Sequence, residues 1–78
     1  MELTTAIIDD FARRMEIGAT LKAEIHELKR NASGVYDRTY VTEVTILEKY
    51  PFFALTDHGA IQWVNMALHN RDQLRMVL

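Results

Sequence analysis

Residues 40–70, YVTEVTILEKYPFFALTDHGAIQWVNMALHN, constrain the fold more than any other stretch. Strand-type residues, turn signals and most of the aromatic side chains coincide there. Tyr40, Thr42, Val44 and Ile46 alternate with Val41, Glu43, Thr45 and Leu47, and a period of two rich in β-branched residues marks a strand with one face better buried. Tyr50-Pro51 then interrupts the pattern, because proline has no ladder donor and fixes its own φ. The β pattern resumes from Phe52 to Thr56. Thr56-Asp57-His58-Gly59 supplies an aspartate for local hydrogen bonding and a glycine for positive φ, the chemistry of a tight hairpin. Ala60 to Asn65 reads as a third strand. The expected core face carries Val44, Ile46, Phe53, Leu55, Ile61 and Trp63, a set that a slip of one residue would reverse.

Ahead of this meander, Ile7, Phe11, Met15, Gly18, Leu21, Ile25 and Leu28 recur at spacings of three and four, which predicts one long helix with a continuous apolar stripe. Thr4 or Thr5 would cap it, and Asp9–Arg13 and Asp10–Arg14 would pair along its flank. Asn31-Ala32-Ser33-Gly34 would end it, with Gly34 in the left-handed conformation. A helix from about residue 5 to residue 31 is roughly 40 Å long, more than a narrow sheet covers. The expected fold is therefore α+β: a long N-terminal helix, a three-stranded antiparallel meander, and a short C-terminal helix or extended tail. It forms a single domain over residues 1–78, with a helical arm at 1–34, a short linker from Gly34 to Thr39, and a small β-sheet unit at 35–78. Asn65 would cap a helical turn running to Asn70, and residues 73–78 would extend that helix or form a final strand.

A chain of 78 residues supports only a marginal core, and without cysteine it has neither disulfides nor thiolate zinc sites as staples. Subunit association is the remaining remedy. Phe11, Met15, Gly18 and Leu21, at the middle of the uncovered stripe, are the expected contact of a dimer or larger homo-oligomer. No apolar run is long enough for a signal core or a membrane span, so a soluble, cytoplasmic protein is expected. The net charge of −2, without a basic block, counts against nonspecific nucleic-acid binding.

No residue set spells out a reaction. His26, His58 and His69 lack the spacing that puts two imidazoles on one metal, so no metal is expected. Asp57-His58 is explained by turn chemistry, no serine stands in a nucleophile motif, and the three glycines form no phosphate loop. A non-enzymatic binding protein without cofactor is the expectation. Arg38, His58 and Arg71 are its candidate contacts to a host protein or a small anionic ligand, together with Tyr40, Phe52 and Trp63 as aromatic ones. The alternative is a small nucleic-acid-binding regulator that stacks bases on Tyr40, Phe52 or Trp63.

KYPFFALTDHG, continued by QWVNMALHNRD, resembles short proteins encoded by phages and prophages of Gram-positive bacteria. The likeness covers about residues 41–72 and rests on the Tyr-Pro turn, the Asp-x-Gly hairpin and the Asn-Arg end. It implies a mobile-element accessory protein acting in the host cytoplasm. Many such proteins are small oligomers that capture a host factor, a defence enzyme or its nucleotide signal.

Overall fold

The structure, a computed structural model, describes residues 3–75. Helix α1 (Thr5–Arg14) is followed by the long strands β1 (Thr20–Asn31) and β2 (Gly34–Lys49), the short strands β3 (Phe53–Thr56) and β4 (Gly59–Gln62), helix α2 (Trp63–His69) and a 3-10 turn (Arg71–Gln73). The α+β class is as expected, but the sheet has four antiparallel strands in the order β1-β2-β3-β4.

The long N-terminal helix is the main correction. Thr4 caps α1 as expected, its Oγ1 accepting from the Ile7 N–H at 3.2 Å, and Asp10 pairs with Arg14 at 2.9 Å. The helix nevertheless ends at Arg14, and the chain reverses at Gly18, whose φ is +93°. That left-handed conformation costs L-residues energy and fits glycine. The Gly18 N–H donates to the Ile46 carbonyl at 2.8 Å, which launches the chain alongside β2. The sequence read as the second half of a helix is β1. Asn31-Ala32-Ser33-Gly34 is thus a hairpin turn and not a helix C-cap: Asn31 Oδ1 accepts from the Ser33 N–H at 2.9 Å, and Gly34 takes φ +126°. The linker expected from Gly34 to Thr39 is the start of β2.

This reversal folds the apolar stripe onto itself. Phe11, Met15 and Leu21 join the chain's own core, and Gly18 is an exposed turn residue. Of the four residues expected at a subunit contact, Phe11, Met15 and Leu21 are thus buried against the chain's own sheet and helix, and only Gly18 is at the surface. The core lies between the inner face of the sheet and the two helices. Phe11, Val44, Ile46, Trp63 and Met66 are its largest fully buried side chains, and Phe11 meets Trp63 edge to face at 6.4 Å.

A β-bulge shifts the register of β3. Ile46 faces Thr56 but Glu48 faces Leu55, which leaves Leu47 as the extra residue, and a bulge reassigns which side chains face inward. Ala54 and Thr56 are buried, while Phe53 and Leu55, expected in the core, are half-buried. Phe53 instead stacks on Tyr50 with centroids 4.8 Å apart. Strand β4 stops at Gln62, three residues earlier than expected, because Trp63 opens α2 with its N–H donating to the Phe52 carbonyl and its Nε1 to the Tyr50 carbonyl. Past the 3-10 turn Leu74 and Arg75 belong to neither helix nor strand and Leu74 has extended backbone, as the extended-tail alternative expected; residues 76–78 lie outside the described residues.

Asn65, expected as a helix cap, sits within α2 and performs a different task. Its carboxamide accepts from the Glu24 N–H at 2.9 Å and donates to the Glu24 carbonyl at 2.8 Å. Asn70 repeats the pattern on Lys22, at 3.2 and 2.8 Å, and also donates to the Met66 carbonyl. Two amide side chains thereby satisfy the outer edge of β1 where a further strand would otherwise pair. Asn70→Ala removes three hydrogen bonds from a buried residue and should lower stability by about 2–3 kcal/mol. Thermal denaturation should show a drop of roughly 10–20 °C, and Asn65→Ala, at a half-buried site, a smaller one.

Candidate interaction site on a projecting hairpin

Strand β1 pairs over its full length with β2, from Thr20 opposite Thr45 to Asn31 opposite Gly34. Only the end of the pair nearest Thr20 and Thr45 has a core beneath it. Leu21, Ala23 and Val44 are buried, Ile25 and Tyr40 are half-buried, and of residues 26–39 all but Glu27 are exposed. The hairpin therefore projects as a two-stranded arm, which gives the molecule its longest dimension of 53 Å against 26 and 19 Å for the others.

Both rims of this arm are open. In an antiparallel pair, alternate residues turn their N–H and C=O toward the partner strand and away from it. Lys22 and Glu24 turn theirs away, since Asn70 and Asn65 bind them. By the same alternation His26, Leu28 and Arg30 also point outward, and beyond Asn65 they have no backbone partner among the described residues. On the other rim Asp57 closes β2 at Thr45, accepting from the Thr45 N–H at 2.8 Å and donating its own N–H to the Thr45 carbonyl at 3.2 Å. Beyond it Glu43, Val41, Thr39, Asp37 and Val35 are open in the same way. Apolar side chains accompany them: Leu28 is 70% exposed, Val35 59% and Val41 52%.

On the face of the arm that continues the core face, Ile25 stands opposite Tyr40, Glu27 opposite Arg38 and Lys29 opposite Tyr36. Glu27 organises this surface. Its Oε1 accepts from the Tyr40 hydroxyl at 2.5 Å, and the Arg38 guanidinium lies 4.5 Å from the Tyr40 ring centroid. Glu27 Oε2 is buried without a hydrogen bond, 3.7 Å from Lys29 Nζ and 3.9 Å from Arg38 Nε. The Tyr40 hydroxyl, more than the nearby Lys29 and Arg38 charges, holds the Glu27 carboxyl below its usual range. The same bond raises the Tyr40 phenol above its ordinary 10.0.

Of the residues expected to form a ligand site, the structure brings Arg38 and Tyr40 together. It does not bring Phe52, Trp63 or Arg71 to them. Phe52 is 84% exposed at the β2–β3 turn, Trp63 is buried in the core, and Arg71 opens the 3-10 turn. His58 lies beside Asp57, with 3.2 Å between its Nδ1 and the carboxylate, and lines a groove of about 320 Å3 shared with Ile25 and His26 at the base of the arm. Among the described residues no three His, Cys, Asp or Glu side chains converge, and no helix is long and apolar enough to cross a membrane. A cleft of about 690 Å3 lies between α1 and the Lys49–Pro51 turn, where Asp10 pairs with Arg14 and Lys49 Nζ donates to the Arg13 carbonyl at 3.4 Å.

Sequence reasoning missed Glu27, Leu28, Asn65 and Asn70. The alternation of Leu21, Ala23 and Ile25 was the available signal for a strand, and Asn-Ala-Ser-Gly the signal for its turn. Comparison with protein-family models, curated proteins and solved structures returns no match.

The Glu27–Tyr40 bond predicts a titration. Because the folded pKa of Tyr40 is raised, its contribution to stability is complete below the unfolded value of 10.0 and is lost as pH rises through the folded value. An ultraviolet titration of the phenols should show one tyrosine ionising later in the wild type than in Glu27→Gln, with the Glu48-bonded Tyr50 unchanged between the two.

Proposed function

We propose that this is a non-enzymatic binding protein whose projecting hairpin is the recognition element, and that its partner is a protein. One observation carries the reading: the arm extends past the core with unpaired backbone on both rims and with Leu28, Val35, Tyr36 and Val41 exposed. Such rims accept an extended segment as an added strand, where main-chain bonds give affinity and alternate side chains give specificity. The likeness to phage accessory proteins makes a host factor in the host cytoplasm the target that fits this reading. Capture of a nucleotide or other small anion has less support, since the Arg38 guanidinium lies against Tyr40 and near Glu27, and the other candidate contacts are dispersed.

A nucleic-acid reading has one observation in its favour. Lys29, Arg30 and Arg38 stand on a two-stranded ribbon, a shape that the major groove of DNA admits. Glu27 and Asp37 on the same ribbon oppose it. Affinity for duplex DNA should be weak and should fall steeply with salt, as counterion release requires.

Replacing residues 26–39 by an Asn-Gly turn between Ile25 and Tyr40 tests the main reading, because that dipeptide closes a paired position without disturbing the core. The trimmed chain should keep its cooperative melting and lose the partner that the full chain retains from host extract. A partner held equally by both chains would place recognition elsewhere, in which case the cleft between α1 and the Lys49–Pro51 turn is the next surface to vary.

A further inference from the structure

We propose that the outer rim of β1 is the self-association surface of this protein: residues 26–30 of two copies pair as antiparallel strands about a two-fold axis at Leu28. The proposal rests on the reading of the arm as a recognition element and names the occupant of one of its two rims. Asn65 closes the rim at Glu24, and the chain turns away after Asn31, so the open segment runs from His26 to Arg30 with Leu28 at its middle. A second copy centred there meets the first over the whole open length, and each arm tip ends against the partner's closed edge.

The register that follows is chemically self-complementary. Leu28 faces its own copy, and His26 faces Arg30 on each side. All of these residues point their backbone groups outward, so each facing pair exchanges both N–H···O=C bonds. Between them Glu27 stands directly opposite the partner copy's Lys29, twice per dimer, at the non-hydrogen-bonded positions where side chains come closest. A charged rim ordinarily repels its copy; here the order acid–Leu–base turns repulsion into attraction.

A second observation points to the same contact. Glu27 Oε2 is buried without a hydrogen bond, and its own Lys29 Nζ stands off at 3.7 Å. The Glu27 side chain is nevertheless 30% exposed, and the facing lysine of a second copy approaches the carboxylate from the open rim and completes a row running Arg38, Glu27, Lys29 of the second copy. The rim of β2 offers no acid–base match, setting Arg38 against Tyr40 when centred on Thr39. It also sets Asp37 against Val41 and Val35 against Glu43. That rim remains open in the paired molecule for the protein partner.

Analytical ultracentrifugation of the full chain should show a concentration-dependent shift from the 9.1 kDa monomer to its dimer. Leu28→Pro removes an N–H that points away from β2, so it should abolish the dimer while the melting temperature stays close to wild type. Thr39→Pro, on the other rim, should leave the dimer intact. Glu27→Lys and Lys29→Glu should each dimerise about tenfold more weakly, and an equimolar mixture of the two should recover the wild-type affinity as a heterodimer, since both cross-strand pairs are then opposite in sign. A monomer at all concentrations, a dimer surviving Leu28→Pro, loss of the dimer by Thr39→Pro, or a mixture that fails to recover would each overturn the proposal. A monomeric wild type whose trimmed form still loses its protein partner would overturn self-pairing alone and leave the recognition role standing.

Discussion

The carboxamides of Asn65 and Asn70 hold α2 against the sheet by giving Glu24 and Lys22 the donor and acceptor that another strand would have supplied. Much of the fold depends on this arrangement. It fixes the helix over the core, seats Met66 and Ala67 against the inner face, and lets Trp63 meet Phe11. It also closes the edge beside the core, where an intruding strand would displace the helix. An amide is suited to the task because it offers a donor and an acceptor in one plane, as a peptide group does. Asp57 does half the same work on the other rim, with its carboxylate accepting and its own backbone N–H donating.

The meander was legible because its signals were local. The Thr56–Gly59 turn, the Tyr50-Pro51 break and the inward Val44 and Ile46 follow from residue chemistry alone. Residues 20–31 were not legible in the same way. Leu21, Ile25 and Leu28 fit a helix, Leu21, Ala23 and Ile25 fit a strand, and a run of Leu, Lys, Ala and Glu favours the helix by intrinsic propensity. Pairing with β2 overrides that preference, and the decisive residue is Gly18, whose positive φ turns the chain before a second helical half can form. A glycine inside a helical pattern can be a tolerated weak point or a reversal, and only the partner strand settles which.

The β3 register failed for a different reason. The expected core face set Phe53 and Leu55 inward with Val44 and Ile46, but the register across the bulge at Leu47 and the turn after Tyr50 brings Ala54 and Thr56 to that face instead. Bulky Phe53 then finds its contact on Tyr50, and small Ala54 fills the tight position under the sheet. The site was obscured in turn by the helix expectation. On a helix Glu27 and Tyr40 have no reason to meet, whereas on a hairpin they are near neighbours across the strands, and Arg38 and Lys29 gather around them.

The arm and the core answer to different physics. Ordering backbone costs about 1–2 kcal/mol per residue, and beside the core that cost is offset by burial of Leu21, Ala23, Val44 and Ile46. Residues 26–39 bury almost nothing. Ladder bonds return a net of about 0.5–1.5 kcal/mol each, and in the arm they engage only the residues that face the opposite strand. An isolated two-stranded hairpin is marginal in water for this reason. The Glu27–Tyr40–Arg38 cluster stiffens the base of the arm, but the tip past Lys29 has no comparable contact among the described residues. The chain seals its edges beside the core with two asparagines and an aspartate and leaves the same edges open along a costly extension, and the proposed pairing with another chain rests on that asymmetry.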